Sequence, residues 1–164
     1  MKRALMLATA LALTGCGLRP VYSGGSNGAV ATTLRSVTVA PIEGQAGWLV
    51  RNKLVDRLGA GNGEATYRLD VILDDDITAF GLRSDRAATQ ERRTLRARYQ
   101  LVDIRNGMVV LDATAGSDMG IDIVSSEYAT VAAEQTALEN LAARLADQIS
   151  ARLALFASRT AGAK

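Results

Sequence analysis

Two groups of residues in this chain have types and spacing that could do chemistry. The first is Cys16, the single cysteine among 164 residues. It has no partner for an internal disulfide, and its thiolate is a good nucleophile, so covalent modification is the chemistry open to it. The second is Arg83, Arg86, Arg92, Arg93, Arg96 and Arg98, six arginines within sixteen residues that include only Asp85 and Glu91 as acids. Guanidinium forks bind phosphates bidentately. The same arginines could instead pair with Asp70, Asp74 and Asp112 as cross-strand salt bridges.

Other chemistry is poorly supplied. The chain contains no histidine, which removes Ser-His-Asp and Cys-His catalysis and most zinc or copper sites. Lys53 and Lys164 are the only lysines beyond the first three residues, and neither lies in a recognisable Ser-Lys motif. Asp74-Asp75-Asp76 reads as a solvated strand end, because adjacent residues on an extended chain point in alternating directions and no calcium loop follows. Glycines at 59, 61 and 63 follow a helix and precede a strand, the reverse of a dinucleotide fingerprint, so they read as a turn. Trp48 reads as a core or interface anchor. Neither an enzyme, nor a cofactor, nor a metal site is expected.

The surroundings of Cys16 define its role. Lys2 and Arg3 precede an apolar run from Ala4 to Leu13, the pattern of a secretory signal peptide. Ten residues rise only about 15 Å as a helix, too short for a bilayer core of roughly 30 Å. Leu13-Thr14-Gly15-Cys16 resembles the lipobox of bacterial lipoproteins, whose cysteine is acylated and becomes the first mature residue. Gly17 is not the aspartate that retains such proteins at the inner membrane, so an outer-membrane anchor facing the periplasm is expected. Lys2 and Arg3 also account for the net charge of +2, leaving 17 basic against 17 acidic side chains. A neutral mature chain gives no case for nucleic-acid binding.

Residues 1–15 are thus expected as signal peptide, 16–33 as a lipid-anchored flexible tether, 34–158 as a single domain and 159–164 as a disordered tail. Leu34 to Ile42 is β-branched and alternating, a strand. Val50, Leu54 and Leu58 recur at helical spacing over residues 45–58, and Gly59 stops that helix. Tyr67 to Leu73 alternates, residues 74–91 are polar, and Thr94 to Ile104 alternates again. On that strand Leu95, Ala97, Tyr99 and Leu101 face inward, while Arg92, Arg96 and Arg98 share the outward parity. Asn106-Gly107 signals a type I′ hairpin returning as Met108 to Ile121. Glu127 to Ser158 is a long helix with an apolar stripe of Leu138, Leu141, Leu145, Ile149, Leu153 and Phe156. This order predicts an α+β fold: a four-stranded mixed sheet with two helices packed on one face, the first strand-helix-strand unit making a parallel crossover.

Three stretches resemble the lipopolysaccharide-assembly lipoprotein family LptE (RlpB): Cys16-Gly17-Leu18-Arg19-Pro20-Val21-Tyr22, Arg92 to Asp103, and Ser126 to Thr130 with the helix to Leu153. The family often has Phe where this chain has Leu18. The resemblance implies a plug seated in the LptD outer-membrane β-barrel, aiding barrel folding and contacting lipopolysaccharide, with the six arginines facing lipid A phosphates or the barrel wall. A lipobox on a small α/β domain also fits an auxiliary lipoprotein of a lipid ABC transporter.

Overall fold

The computed structural model describes residues 28–60, 64–82 and 88–162. The expected signal peptide and most of the tether, Cys16 included, lie outside the described residues. So do Arg83 and Arg86.

The described chain begins with a short helix, α1 (Ala29–Arg35), where flexible tether and then strand were expected. Val30 and Leu34 stand four apart, share one helical face and are buried. Tertiary burial of that pair outweighs the β-favouring sequence around it. The first strand, β1, is therefore only Val37–Val39. Ala40 adds one last ladder bond, its N–H donating to the Leu69 carbonyl at 3.0 Å, and Pro41 has no N–H to continue it.

Helix α2 (Gly44–Leu58) buries Val50, Leu54 and Leu58 as the spacing predicts. Gly59 ends it in the left-handed conformation, φ 61°, which lets the Ala60 N–H reach the Val55 carbonyl at 3.1 Å. Inside this helix Gly47 serves packing, since a Cβ there would lie 2.6 Å from the Ile42 carbonyl oxygen and 2.7 Å from its carbon. Alanine ordinarily gains about 1 kcal/mol over glycine in a helix. Here the sign reverses, because backbone must move: Gly47→Ala is expected to cost about 1–3 kcal/mol, read as a lowered urea midpoint.

Strands β2 (Tyr67–Leu82), β3 (Ala88–Asp103) and β4 (Met108–Asp122) complete a four-stranded sheet in the order β1-β2-β3-β4. β1 pairs with β2 in parallel, the expected crossover through α2, and the other pairs are antiparallel. Pairing runs without a gap from Tyr67↔Asp103 to Phe80↔Gln90, so most of the stretch expected as polar connection is ladder. From Asp74 to Phe80 every residue is exposed, although the Asp75 side chain turns inward to Arg93. No apolar side chain is buried on either face, so there is no apolar alternation to read, and backbone pairing carries the strand.

The β3–β4 turn also differs from expectation. Asp103 pairs with Met108, giving a four-residue turn instead of a two-residue type I′ loop. The Gly107 N–H donates to the Asp103 carbonyl at 2.8 Å, with Gly107 at φ 70°. The buried Asp103 carboxylate accepts the Arg105 N–H at 3.0 Å and the Arg105 guanidinium at 2.8 Å. These bonds hold its pKa below the usual aspartate range.

Helix α3 (Glu127–Gly162) has 36 residues, about 54 Å long. It passes without a break through positions 159–162 that were expected as tail. Its predicted stripe is buried from Leu138 to Leu153 against α2 and the inner sheet face, where Leu69, Leu95, Ala97, Tyr99 and Leu101 project. Phe156 meets Tyr67 edge-on at 5.9 Å. Gln45 donates to Gln135 at 3.0 Å and Arg57 bonds Asp147, so α2 and α3 run parallel. The fold is the expected α+β sheet with helices on one face, plus the short α1. β4 is an edge strand. At its middle the Gln148 side chain, reaching from α3, accepts the Gly116 N–H and donates to the Gly116 carbonyl, both at 3.2 Å. No helix among the described residues is long and apolar enough to cross a membrane.

Candidate functional site: the arginine face of the sheet

The alternation of β3 separates the arginines. Arg92, Arg96 and Arg98 project from the outer sheet face, away from the helices, and are exposed. Arg93 has the opposite parity. It turns toward α3, donates twice to Asp75 at 2.8 and 2.6 Å, and donates to the Glu134 carbonyl at 3.0 Å. Its side chain is only 12% exposed, so Arg93 leaves the expected contact set and becomes a tie between the sheet and α3. Hydrogen bonding to Asp75 raises its pKa.

Among the outward three, pairing is uneven. Arg98 is bound to Asp112 at 3.0 Å, the expected cross-strand pair. Arg92 stands 3.8 Å from Asp118 and lies over the Phe80 ring at 5.3 Å. Asp70 binds Arg68 on its own strand, at 2.8 Å. Arg96 is opposite Asp74 in the ladder, yet neither forms an ion pair among the described residues. The Arg96 stem crosses Gly116, where an added Cβ would come within 3.3 Å of its Cγ. Glycine thus leaves room for the arginine to lie along the sheet.

Two shallow troughs meet at Arg96. One is bordered by Ile72, Asp74, Arg98 and Thr114, the other by Asp76, Thr78, Phe80 and Arg92. Sequence reading overlooked the apolar members. Ile72 is 75% exposed beside these cations, and its even number on β2 was the available signal. The face can offer one unpaired guanidinium, two more within the same row, and apolar side chains beside them. That suits an amphiphilic anion better than a small polar one. Asp74, Asp75 and Asp76 alternate in direction, Asp75 inward to Arg93, and no group of acids among the described residues is arranged to hold a metal ion.

On the inner side, Glu91 faces Glu134 near Arg93, and its Oε2 is buried without a hydrogen-bond partner. Burial pushes the Glu91 carboxyl up, and the Glu134 carboxylate adds to the shift. The native state therefore holds a proton that the unfolded chain has lost, and stability falls as pH rises from the ordinary glutamate value through the raised one. Glu91→Gln is expected to remove that fall and to raise stability at neutral pH by about 1 kcal/mol, measured by thermal unfolding across a pH series.

Comparison with known proteins agrees with this architecture. A family model described as LptE, lipopolysaccharide-assembly, matches residues 34–153. A Caulobacter crescentus CB15 protein named provisionally as a lipoprotein has a similar structure, TM-score 0.68 at 29% identity, over 84% of this chain and 98% of that one. Rare lipoprotein B of Shewanella oneidensis shares the fold at TM-score 0.57 and 13% identity, covering 73% of this chain and 92% of its own. A minor lipoprotein of Acinetobacter baumannii does so at TM-score 0.58 and 15% identity, covering 74% and 92%. A search of curated protein sequences found no match. With the model matching most of the chain, from the end of α1 into the last third of α3, this protein belongs to the LptE lipopolysaccharide-assembly family.

Proposed function

We propose that the protein is a non-enzymatic outer-membrane lipoprotein, acylated at Cys16 and facing the periplasm, that associates with an LptD-type β-barrel and assists delivery of lipopolysaccharide to the outer leaflet. Membership of the family supports this reading. The observation that carries it is the row of Arg92, Arg96 and Arg98 on an uncovered sheet face, with Arg96 unpaired among the described residues. A polar sheet face suits the polar interior of a wide barrel. An unpaired guanidinium beside Ile72 and Phe80 suits a phosphorylated lipid headgroup. Arg83 and Arg86, close in sequence, belong to the same proposed set.

The test is a mild-detergent pull-down of the mature protein from outer membranes, with mass spectrometry of what accompanies it. A near-stoichiometric barrel is expected. Arg96→Glu should leave the fold intact and weaken lipopolysaccharide binding by about tenfold, or 1.4 kcal/mol. Recovery of permease components without a barrel would overturn the proposal in favour of a transporter auxiliary.

A further inference from the structure

A second exposed cluster lies at the end of the sheet away from Arg92. On the β3–β4 turn and the first residues of β4, Ile104 is 47% exposed, Met108 63%, Val109 49% and Val110 37%. No helix among the described residues covers them, and Leu101 and Val102 beside them are already buried. Arg105, on the same turn, has a side chain 74% exposed. Leu155 on α3 is also exposed. It lies two turns past Gln148 on α3, which runs antiparallel to β4.

This end is also where the chain enters the domain. The Ile104 N–H donates to the Thr66 carbonyl at 3.0 Å, and the Thr66 N–H to the Ser36 carbonyl at 2.9 Å. Ser36 closes α1, so the turn and the first described residues are joined across one base. Ala29 and Thr32 line a trough there with Thr160 of α3, next to the exposed Arg159. Residues 17–27 connect Cys16 to Gly28, a reach of at most about 40 Å. An acylated Cys16 therefore keeps Gly28 within about 40 Å of the bilayer surface.

We infer that the β3–β4 turn is a second membrane contact. Ile104, Met108 and Val109 enter the boundary between headgroups and acyl chains, and Arg159 meets anionic headgroups, while Arg105 stays paired with Asp103. The inference rests on the proposed acylation of Cys16. Tethering removes most of the entropic cost of bringing the turn to the lipid, so a few apolar side chains suffice, as with other two-signal anchors. Along β3, by strand rise, the arginine row begins about 17 Å from the turn at Arg98 and ends about 36 Å from it at Arg92.

The chain itself supplies the probe chemistry. With Cys16 acylated, Met108→Cys carries the one free thiol, and Tyr128→Cys does the same at the far end of α3. Each full-length protein is purified from membranes, labelled with an environment-sensitive fluorophore and placed in vesicles of phosphatidylethanolamine and phosphatidylglycerol. The mass of the Cys16 peptide is measured in parallel. A blue-shifted probe at 108 that loses about twofold or more of its emission to nitroxide lipids, with an unchanged probe at 128, is the expected result. Adding Ile104→Ser and Val109→Ser should abolish the shift. An acylated protein with a solvated probe at 108, equal shifts at both sites, or a shift seen only with a protein partner would each overturn this inference while leaving acylation standing. Absence of the acyl mass would remove acylation and this inference together.

Discussion

Leu145→Ala is expected to lower the unfolding free energy by about 3–4 kcal/mol. Leu145 is fully buried, and so are Leu138, Leu141, Ile149, Leu54, Leu95 and Leu101 in the same cluster. Its immediate helix neighbours Ala142 and Ala146 are also fully buried, and alanines have no side chain to swing into a vacated space. The strands beneath are fixed by pairing on both sides of β3. The cavity therefore stays open, which puts the cost toward the upper part of the usual 2–5 kcal/mol range. Against a total of about 5–15 kcal/mol for a domain, that is a large fraction. Urea denaturation should show a lowered midpoint at unchanged slope. Val131→Ala on the same helix, 61% exposed in the native protein, should change stability by less than about 0.5 kcal/mol.

The second large effect concerns two arginines three positions apart. Arg93→Ala is expected to cost about 2 kcal/mol, less than a fully buried pair because Asp75 keeps partial contact with water. The substitution leaves the Asp75 carboxylate, 25% exposed, without its fork, and leaves the Glu134 carbonyl without its donor. It also frees the inner face of the projecting β2–β3 arm from α3. Arg93→Lys should recover only part of the loss, since an ammonium cannot make the parallel pair of bonds to Asp75. Arg96→Ala, which breaks no ion pair, should leave stability within about 0.5 kcal/mol while lowering affinity for lipopolysaccharide. Measuring both properties on both variants separates the structural arginine from the proposed ligand-binding one. Equal losses of stability would show that Arg96 is also part of the scaffold.

Much of this was legible in the sequence where one face of an element is covered. Leu95, Ala97, Tyr99 and Leu101 announced the inner face of β3, and the leucine stripe announced the buried side of α3. Val50, Leu54 and Leu58 did the same for α2, and the alternating stretches 34–42 and 67–73 around it suggested the parallel crossover. Legibility failed where burial gives no pattern. Residues 74–80 and 90–93 pair as strands whose inner face meets α3 through charged side chains and buries no apolar one, so nothing distinguished them from a polar loop. Val30 and Leu34 are only two apolar positions, too few to outweigh the β-branched run that follows. The Asp103 carboxylate fixes the turn by bonding Arg105, which overrides the Asn106-Gly107 signal. At the site, strand parity placed Arg92, Arg96 and Arg98 together. The same parity marks Arg93 as inward, which composition alone had hidden. Which arginine stays unpaired depends on where Asp112 and Asp118 fall in the β3–β4 register, and that is a tertiary fact.

The Gln148 bridge to Gly116 has a consequence for the order in which the molecule is completed. An edge strand of fifteen residues is a template for another chain, and proteins usually blunt such edges with charge, proline or a bulge. Here the middle of the edge is occupied by an amide that mimics one residue of a neighbouring strand. That amide is 32 positions later in the chain, on a helix that emerges after the whole strand during synthesis. A chain with its sheet formed but α3 undocked thus presents an open template, and docking of that helix both seals the core and closes the edge. Protection against intermolecular pairing is in this way made conditional on finishing the fold.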